Sequence, residues 1–266
     1  FSHEKGHPAL ALRAITANIR TMKQLGLPDD LKVMTQKNNG LFLVTGPTGS
    51  GKSTTLAAII QEINLTRSVH IVTIEDPIEY LYTSEVALIH QRELGRDTKT
   101  FAEALRRAMR QDPDVIMIGE LRDLETISAA ITAAETGHLV LATLHTRDAA
   151  QSIDRIIDVF PPYQQQQIRI QLSSMLLGVL SQQLIPLEGI SGRTVATEYL
   201  VTTNAVRNYI REGKSSQIKN VIQTGSSLGM HTMDQDLARL CRDGMIGRKE
   251  ALGHAYDVES FNRYMM

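Results

Sequence analysis

One stretch of the chain concentrates residues that can do chemistry. From Leu41 to Thr55 it reads Leu-Phe-Leu-Val-Thr-Gly-Pro-Thr-Gly-Ser-Gly-Lys-Ser-Thr-Thr, an apolar run that enters a glycine-rich turn and leaves it into a helix-prone segment. Gly46, Gly51, Lys52 and Ser53 stand at the spacing G-x-x-x-x-G-K-[ST], with Pro47, Thr48, Gly49 and Ser50 inside the turn and Thr54 just after it. Small residues let successive backbone N–H groups turn inward around a phosphate, and the following helix presents its positive N-terminal end to it. Lys52 adds a point charge for the β- and γ-phosphates, and the Ser53 hydroxyl suits a Mg²⁺ ion. The pattern implies a nucleoside triphosphate. A coincidental glycine-rich turn is the alternative, and the strand before it and helix after it count against that.

Three further clusters follow buried-looking runs. Glu75, Asp76 and Glu79 place three carboxylates in five residues after an apolar stretch. Such a loop is ordinarily a solvated turn. Beside a nucleotide, one of its carboxylates could orient or deprotonate the attacking water. Val115 to Ile118 ends in Gly119-Glu120, followed by Leu121-Arg122-Asp123. An apolar strand ending in an acid is where enzymes of this type place a second metal-site carboxylate, commonly Asp or Asp-Glu, so Gly119 before Glu120 is a departure. Gly137-His138 to Thr143-Leu-His145 brings two histidines. Zinc is disfavoured by their separation along a strand, and strand-end position alone leaves a γ-phosphate sensor and an ordinary surface histidine both open. Arg92, Arg96, Arg106, Arg107, Arg110 and Arg122 are mostly solvated or paired, with one or two able to serve as fingers toward a neighbour's phosphate.

Bringing these clusters together requires a particular scaffold. Leu41–Thr45, His70–Ile74, Val115–Ile118 and His138–Leu144 are nearly continuous apolar runs, as strands buried on both faces are. Phe101, Ala104, Leu105, Ala108 and Met109 share a helical face, as do Leu124, Ile127, Ile131 and Ala134. The alternation predicts a mostly parallel sheet with helices on both faces and a ligand at the carboxyl ends of its strands. Glu85–Gln91 reads as a shorter, half-exposed strand. Pro8–Ile15 reads as a short strand, and Met22–Leu27 as a brief helix ended by Pro28. Ile168, Leu172, Leu176 and Val179 form a helical stripe, Gly189–Gly192 a turn, and Thr194–Val201 another strand. The expected division is 1–35 as the end of an N-terminal domain, 36–40 as a linker, 41–160 as the core and 161–266 as a mostly helical C-terminal region.

The 266 residues carry 28 basic and 29 acidic side chains, a balance that disfavours a broad nucleic-acid surface. Cys241 is the only cysteine, which excludes an internal disulfide and a cysteine-rich zinc site; it reads as a buried structural thiol. No apolar run is long enough for a transmembrane segment, and the composition suits the cytoplasm. The chain begins at Phe1 without an initiating Met and is expected to be a fragment.

Together the clusters resemble the four boxes of the secretion ATPase superfamily that powers type II secretion and type IV pili. Gly46–Ser53 matches Walker A, Thr73–Glu79 the aspartate box, Val115–Glu120 Walker B and Gly137–His145 the histidine box, and Gly-Glu in place of Asp-Glu is that superfamily's own form. Gln91–Thr98, Leu105–Asp114 and Ile222–Asp234 are similar to its pilus-retraction members. So is Ala205, Val206, Arg207, Asn208, Tyr209, Ile210, Arg211 and Glu212, which differs from their retraction motif at Val206 and Tyr209. By spacing alone that segment is a surface helix packed through its apolar side. The resemblance implies a RecA-like fold and an ATPase using ATP and Mg²⁺, with Lys52, Glu79 and Glu120 catalytic, Glu79 as the general base and Glu120 as the Walker B glutamate, and with Ser53 and Glu120 at the metal. It implies His138, His145, Arg13, Arg92 and Arg96 as sensor or interface residues. It further implies a homohexamer peripheral to the inner membrane at the pilus base, acting on an inner-membrane platform protein. Rival readings are pilus assembly, type II secretion or accessory retraction by the same engine, an ATP-binding scaffold that does not cycle, and a DNA-translocating motor, which the charge balance disfavours.

Overall fold

The computed structural model describes residues 2–10 and 18–266; Arg13, and the run from Pro8 to Ile15 beyond Leu10, lie outside the described residues. An antiparallel pair, β1 (Ser2–Glu4) and β2 (His7–Ala9), opens the chain. Met22–Leu27, expected as a helix, closes instead as a single turn in which Leu27 N–H donates to Met22 O at 3.1 Å. Gly26 there takes φ +71°, a left-handed conformation that stops helix propagation before Pro28. A short α1 (Lys32–Thr35) follows. Leu27, Leu31 and Met34 are buried in the same apolar layer as Phe42 and Val44, so the last turn of the expected N-terminal portion packs into the core.

The core elements are β3 (Gly40–Thr45), α2 (Lys52–Thr66), β4 (His70–Glu75), β5 (Leu88–Glu93), α3 (Phe101–Ala108), β6 (Val115–Ile118), α4 (Leu124–Glu135), β7 (Leu139–Leu144), α5 (Ala149–Asp158), α6 (Pro162–Met175), β8 (Leu176–Pro186) and β9 (Arg193–Val201). Seven strands pair in the order β5-β4-β6-β7-β3-β8-β9; all pairings are parallel except β8 with β9. The unbroken apolar runs are explained by burial on two faces. Leu41, Leu43, Ile116, Ile118, Val140 and Ala142 face the layer of α3 to α6, while Phe42, Val44, Val115, Met117, Leu139 and Leu141 face that of α2. Burying each such side chain contributes about 1.5–3 kcal/mol, so the alternation pins the register.

The helical stripe expected to include Leu176 and Val179 is corrected: α6 ends at Met175, and β8 starts at the next residue. Leu176–Leu180 is a continuous apolar run that satisfies either period, and pairing beside β3 decides for strand. The region beyond residue 160 therefore supplies two strands to the sheet before α7 (Asn204–Glu212), α8 (Ile218–Thr224), α9 (Met233–Arg242), α10 (Arg248–His254) and α11 (Val258–Met265). The last three helices bury Met233, Leu237, Ala251 and Phe261 against Ile185 and Ala196 of the β8–β9 hairpin, with half-buried Cys241 packed at the edge of the cluster. Thr232 opens α9 with a capping box to Gln235. Just before it, Gly229 approaches the earlier chain so closely that a Cβ there would collide with the Asp30 carboxyl group.

Six parallel strands point their carboxyl ends to one edge. Thr45, Glu75, Ile118 and Leu144 end four of them, so the loops singled out in the sequence converge there.

Candidate nucleotide site

The glycine-rich loop leaves β3 with Gly46 at φ +146° and enters α2 with Gly51 at φ +89°. Both are conformations L side chains avoid, and a Cβ at Gly46 would run into Gln182 O and Ser50 Oγ. Lys52 follows as the first residue of α2. It is 8% exposed, and its Nζ donates to Gly46 O at 2.8 Å and Pro47 O at 3.0 Å. Burial lowers its pKa, opposed by the nearby carboxylates of Glu120 and Glu79. The lysine is thus a desolvated cation facing two acids across a cavity of about 290 Å³, lined also by Thr48, Ser53, Arg122, Thr143 and His145.

Glu120 is held on two sides. Arg122 Nε donates to its Oε2 at 2.7 Å, and His145 Nε2 lies 3.2 Å from its Oε1. Gly119 is explained by packing: its N–H donates to Ile74 O at 2.8 Å, and a Cβ would stand 3.3 Å from that oxygen and 3.5 Å from Glu75 Cα. An aspartate there would press into the neighbouring strand. Thr143 Oγ1 donates to Gly119 O at 2.5 Å, fixing the turn that aims Glu120.

The acidic loop divides its carboxylates between two jobs. Glu75 is buried, accepts from Thr73 Oγ1 at 2.6 Å and from Gln91 Nε2 at 3.1 Å, and has its pKa raised by burial. Its Oε1 accepts both bonds and joins β4 to β5. Asp76 and Glu79 are exposed and face the cavity. Thr54 Oγ1 lies 2.8 Å from Tyr80 OH, which ties this loop to α2. A second cavity of about 700 Å³ opens past Gly51, Thr54 and Thr55, with Arg20, Lys23 and Arg193 at its wall.

Residues 6–188 match the family described as type II/IV secretion system protein. The chain belongs to that family. It is 50% identical over 98% of its length, and 75% of the other's, to the type IV pilus retraction ATPase PilT of Pseudomonas aeruginosa. It is 49% identical over 96% of its length, and 68% of the other's, to a twitching motility protein of Neisseria gonorrhoeae. The solved structure of the pilus retraction motor PilT with bound ADP superposes with a TM-score of 0.92 at 49% identity, covering 98% of this chain and 74% of that one.

Of the residues expected as sensor or interface residues of this secretion-family chain, His145 lines the cavity, and His138, Arg92 and Arg96 lie elsewhere. His138 lies at the amino end of β7, away from the cavity, with Nδ1 2.9 Å from Ala133 O and 3.2 Å from Thr136 Oγ1; it closes the end of α4. Arg92 donates to Gln111 Oε1 at 2.6 Å and, with Arg96, lines a separate groove beside α3. In α7, Val206 and Ile210 are fully buried and Tyr209 partly so, while Ala205 is exposed. Arg207 turns back to donate to Ser173 O at 2.8 Å and Ser174 O at 2.6 Å, satisfying carbonyls at the end of α6. That leaves Ala205, Asn208, Arg211 and Glu212 facing outward. Sequence reasoning missed Thr143, Tyr80 and Gln182. The polar Ser181-Gln182-Gln183 inside an otherwise apolar run was the one available signal.

Proposed function

We propose that this chain is the ATP-hydrolysing motor subunit that retracts type IV pili, working as a homohexamer at the cytoplasmic face of the inner membrane against a platform protein at the pilus base. The observation that carries the reading is a single cavity joining Lys52, Ser53, Glu79 and Glu120 in a chain half identical, along nearly its whole length, to a pilus retraction ATPase. Among the described residues no helix is long and apolar enough to cross a membrane, which suits a peripheral motor.

The phosphates lie against the N–H groups of Thr48, Gly49, Gly51, Lys52 and Ser53 at the start of α2, since Pro47 has none and those of Gly46 and Ser50 are donated to Leu144 O and Pro47 O. The nucleoside extends past Thr54 toward the second cavity. Lys52 gives up its contacts with the loop carbonyls for phosphate oxygens as charge develops on them. The Ser53 hydroxyl and the Glu120 carboxylate are hard oxygen donors on one wall, the donor set Mg²⁺ takes together with waters and substrate phosphates. When bound, that ion neutralises phosphate charge. Glu79, open to the cavity and not locked in hydrogen bonds like Glu75, accepts the proton of the water that attacks the γ-phosphate in line. Positioning and fixed charge supply most of the rate.

Counting surface pili tests the reading, in a strain lacking the full-length gene and in one carrying Glu79→Gln. Excess pili with lost twitching in both is the expected result. A bald deletion strain would assign the engine to assembly, and normal retraction by the variant would remove Glu79 from catalysis.

A further inference from the structure

Gln182 sits on β8 behind the glycine-rich loop and is 1% exposed. Its Nε2 donates to Ser50 O at 2.6 Å, while its Oε1 accepts from Thr55 Oγ1 at 2.9 Å. Ser50 belongs to the loop and Thr55 to the first turn of α2, so one carboxamide ties the two together. The residue before it, Ser181, accepts from Thr45 Oγ1 at 2.9 Å, anchoring the point where the chain leaves β3. The residue after it faces the other way: Gln183 Oε1 lies 2.8 Å from His254 Nδ1 of α10. The loop's glycines are cut to fit this strand, since a Cβ at Gly51 would stand 3.2 Å from Gln182 Nε2.

The peptide plane turns this contact into an effect on the ligand. A trans peptide points its C=O and the following N–H in opposite directions. Drawing Ser50 O toward β8 therefore directs the Gly51 N–H away from it, as a phosphate cradle requires. We propose that Gln182 is a positioning residue for the bound nucleotide, its carboxamide holding the Ser50–Gly51 peptide and the start of α2 in the orientation that receives phosphate. The inference rests on the nucleotide-binding reading above and adds to it a residue outside the four sequence boxes.

The test uses full-length protein and Mg²⁺-ADP as probe, measuring affinity by titration calorimetry and the melting temperature without nucleotide. Gln182→Met is expected to weaken ADP about tenfold and to raise KM for ATP by a similar factor, with kcat within about twofold. Because the single change strands the Thr55 hydroxyl, a Thr55→Val/Gln182→Met pair is measured beside it. The pair is expected to recover melting temperature while keeping the weakened affinity. Wild-type affinity in the single variant, or recovery of affinity together with stability in the pair, would overturn the inference and reduce Gln182 to a packing role. Failure of the wild type itself to bind ADP would overturn the nucleotide reading, and this inference with it.

Discussion

His145 Nε2 lies 3.2 Å from Glu120 Oε1, so the loop after β7 is tied to the loop after β6 across the phosphate cavity. The other ring nitrogen, Nδ1, lies 3.5 Å from Thr48 Oγ1 in the glycine-rich loop. His145 thus contacts both Glu120 and the glycine-rich loop. His145→Ala is expected to reduce kcat for ATP by about 10- to 100-fold with a smaller change in KM, because it loosens a group needed in the transition state more than in the ground state. Steady-state phosphate release over a range of ATP concentrations reads this directly.

The proposed roles of Lys52 and Glu79 make separable predictions for binding and chemistry. Lys52→Ala is expected to abolish both ADP binding and turnover, whereas Glu79→Gln keeps ADP affinity within about threefold and loses turnover by at least about a hundredfold. Pairing ADP titration with phosphate release distinguishes the two patterns. A Glu79→Gln variant with normal turnover would transfer the base to another group.

The outward and inward residues of α7 make opposite predictions. Arg207→Ala removes a charged donor from two helix-end carbonyls and is expected to cost about 1–3 kcal/mol of stability. Arg211→Ala, on the exposed side, is expected to change stability by less than about 0.5 kcal/mol. If the exposed side meets the retraction machinery, Arg211→Ala keeps ATP turnover yet loses twitching. Denaturant melts and a motility assay on the two variants check the separation.

Glu198 sets a pH dependence on stability. It is buried on β9, accepts from Ala149 N–H at 2.9 Å, and burial pushes its pKa up to about 7, with Asp148 raising it further and Lys219 opposing. Its folded pKa exceeds the roughly 4.3 of an unfolded chain, so its stabilising share is fully present below about pH 4 and is lost as pH rises through about 7. Glu198→Gln removes that share. Melting temperatures from pH 5 to pH 8 should fall less steeply in the variant than in the wild type. Some slope will remain, because burial also raises Glu75 and Asp234.

Legibility in the sequence followed how local the governing physics is. The glycine-rich loop, the acidic ends of β4 and β6 and the apolar runs were readable because each depends on neighbours within a few residues. β8 was misread as helix from Leu176 because its partner β3 lies far away in sequence and an unbroken apolar run suits either period. Gln182 stands out in sequence only as a polar break in an apolar run, and its role is hidden for the same reason: its partners Ser50 and Thr55 precede it by more than a hundred residues. His138 and His145 looked equivalent in sequence, yet they flank β7 at opposite ends and only the carboxyl end meets the cavity.

The close approach of Gly229 to Asp30 has a mechanical consequence. With Leu27, Leu31 and Met34 buried in the core and the exposed Asp30 carboxyl lying over Gly229, residues 27–35 are anchored to the ATPase body. Met22 is buried in the same layer and Leu25 packs against it, so the anchorage reaches back past Gly26, whose left-handed conformation is a fixed bend inside the anchored stretch. The stretch from Met22 to Met34 is therefore a strap clamped at both ends, and a substitution that drew either Met22 or Met34 out of the layer would loosen the whole of it.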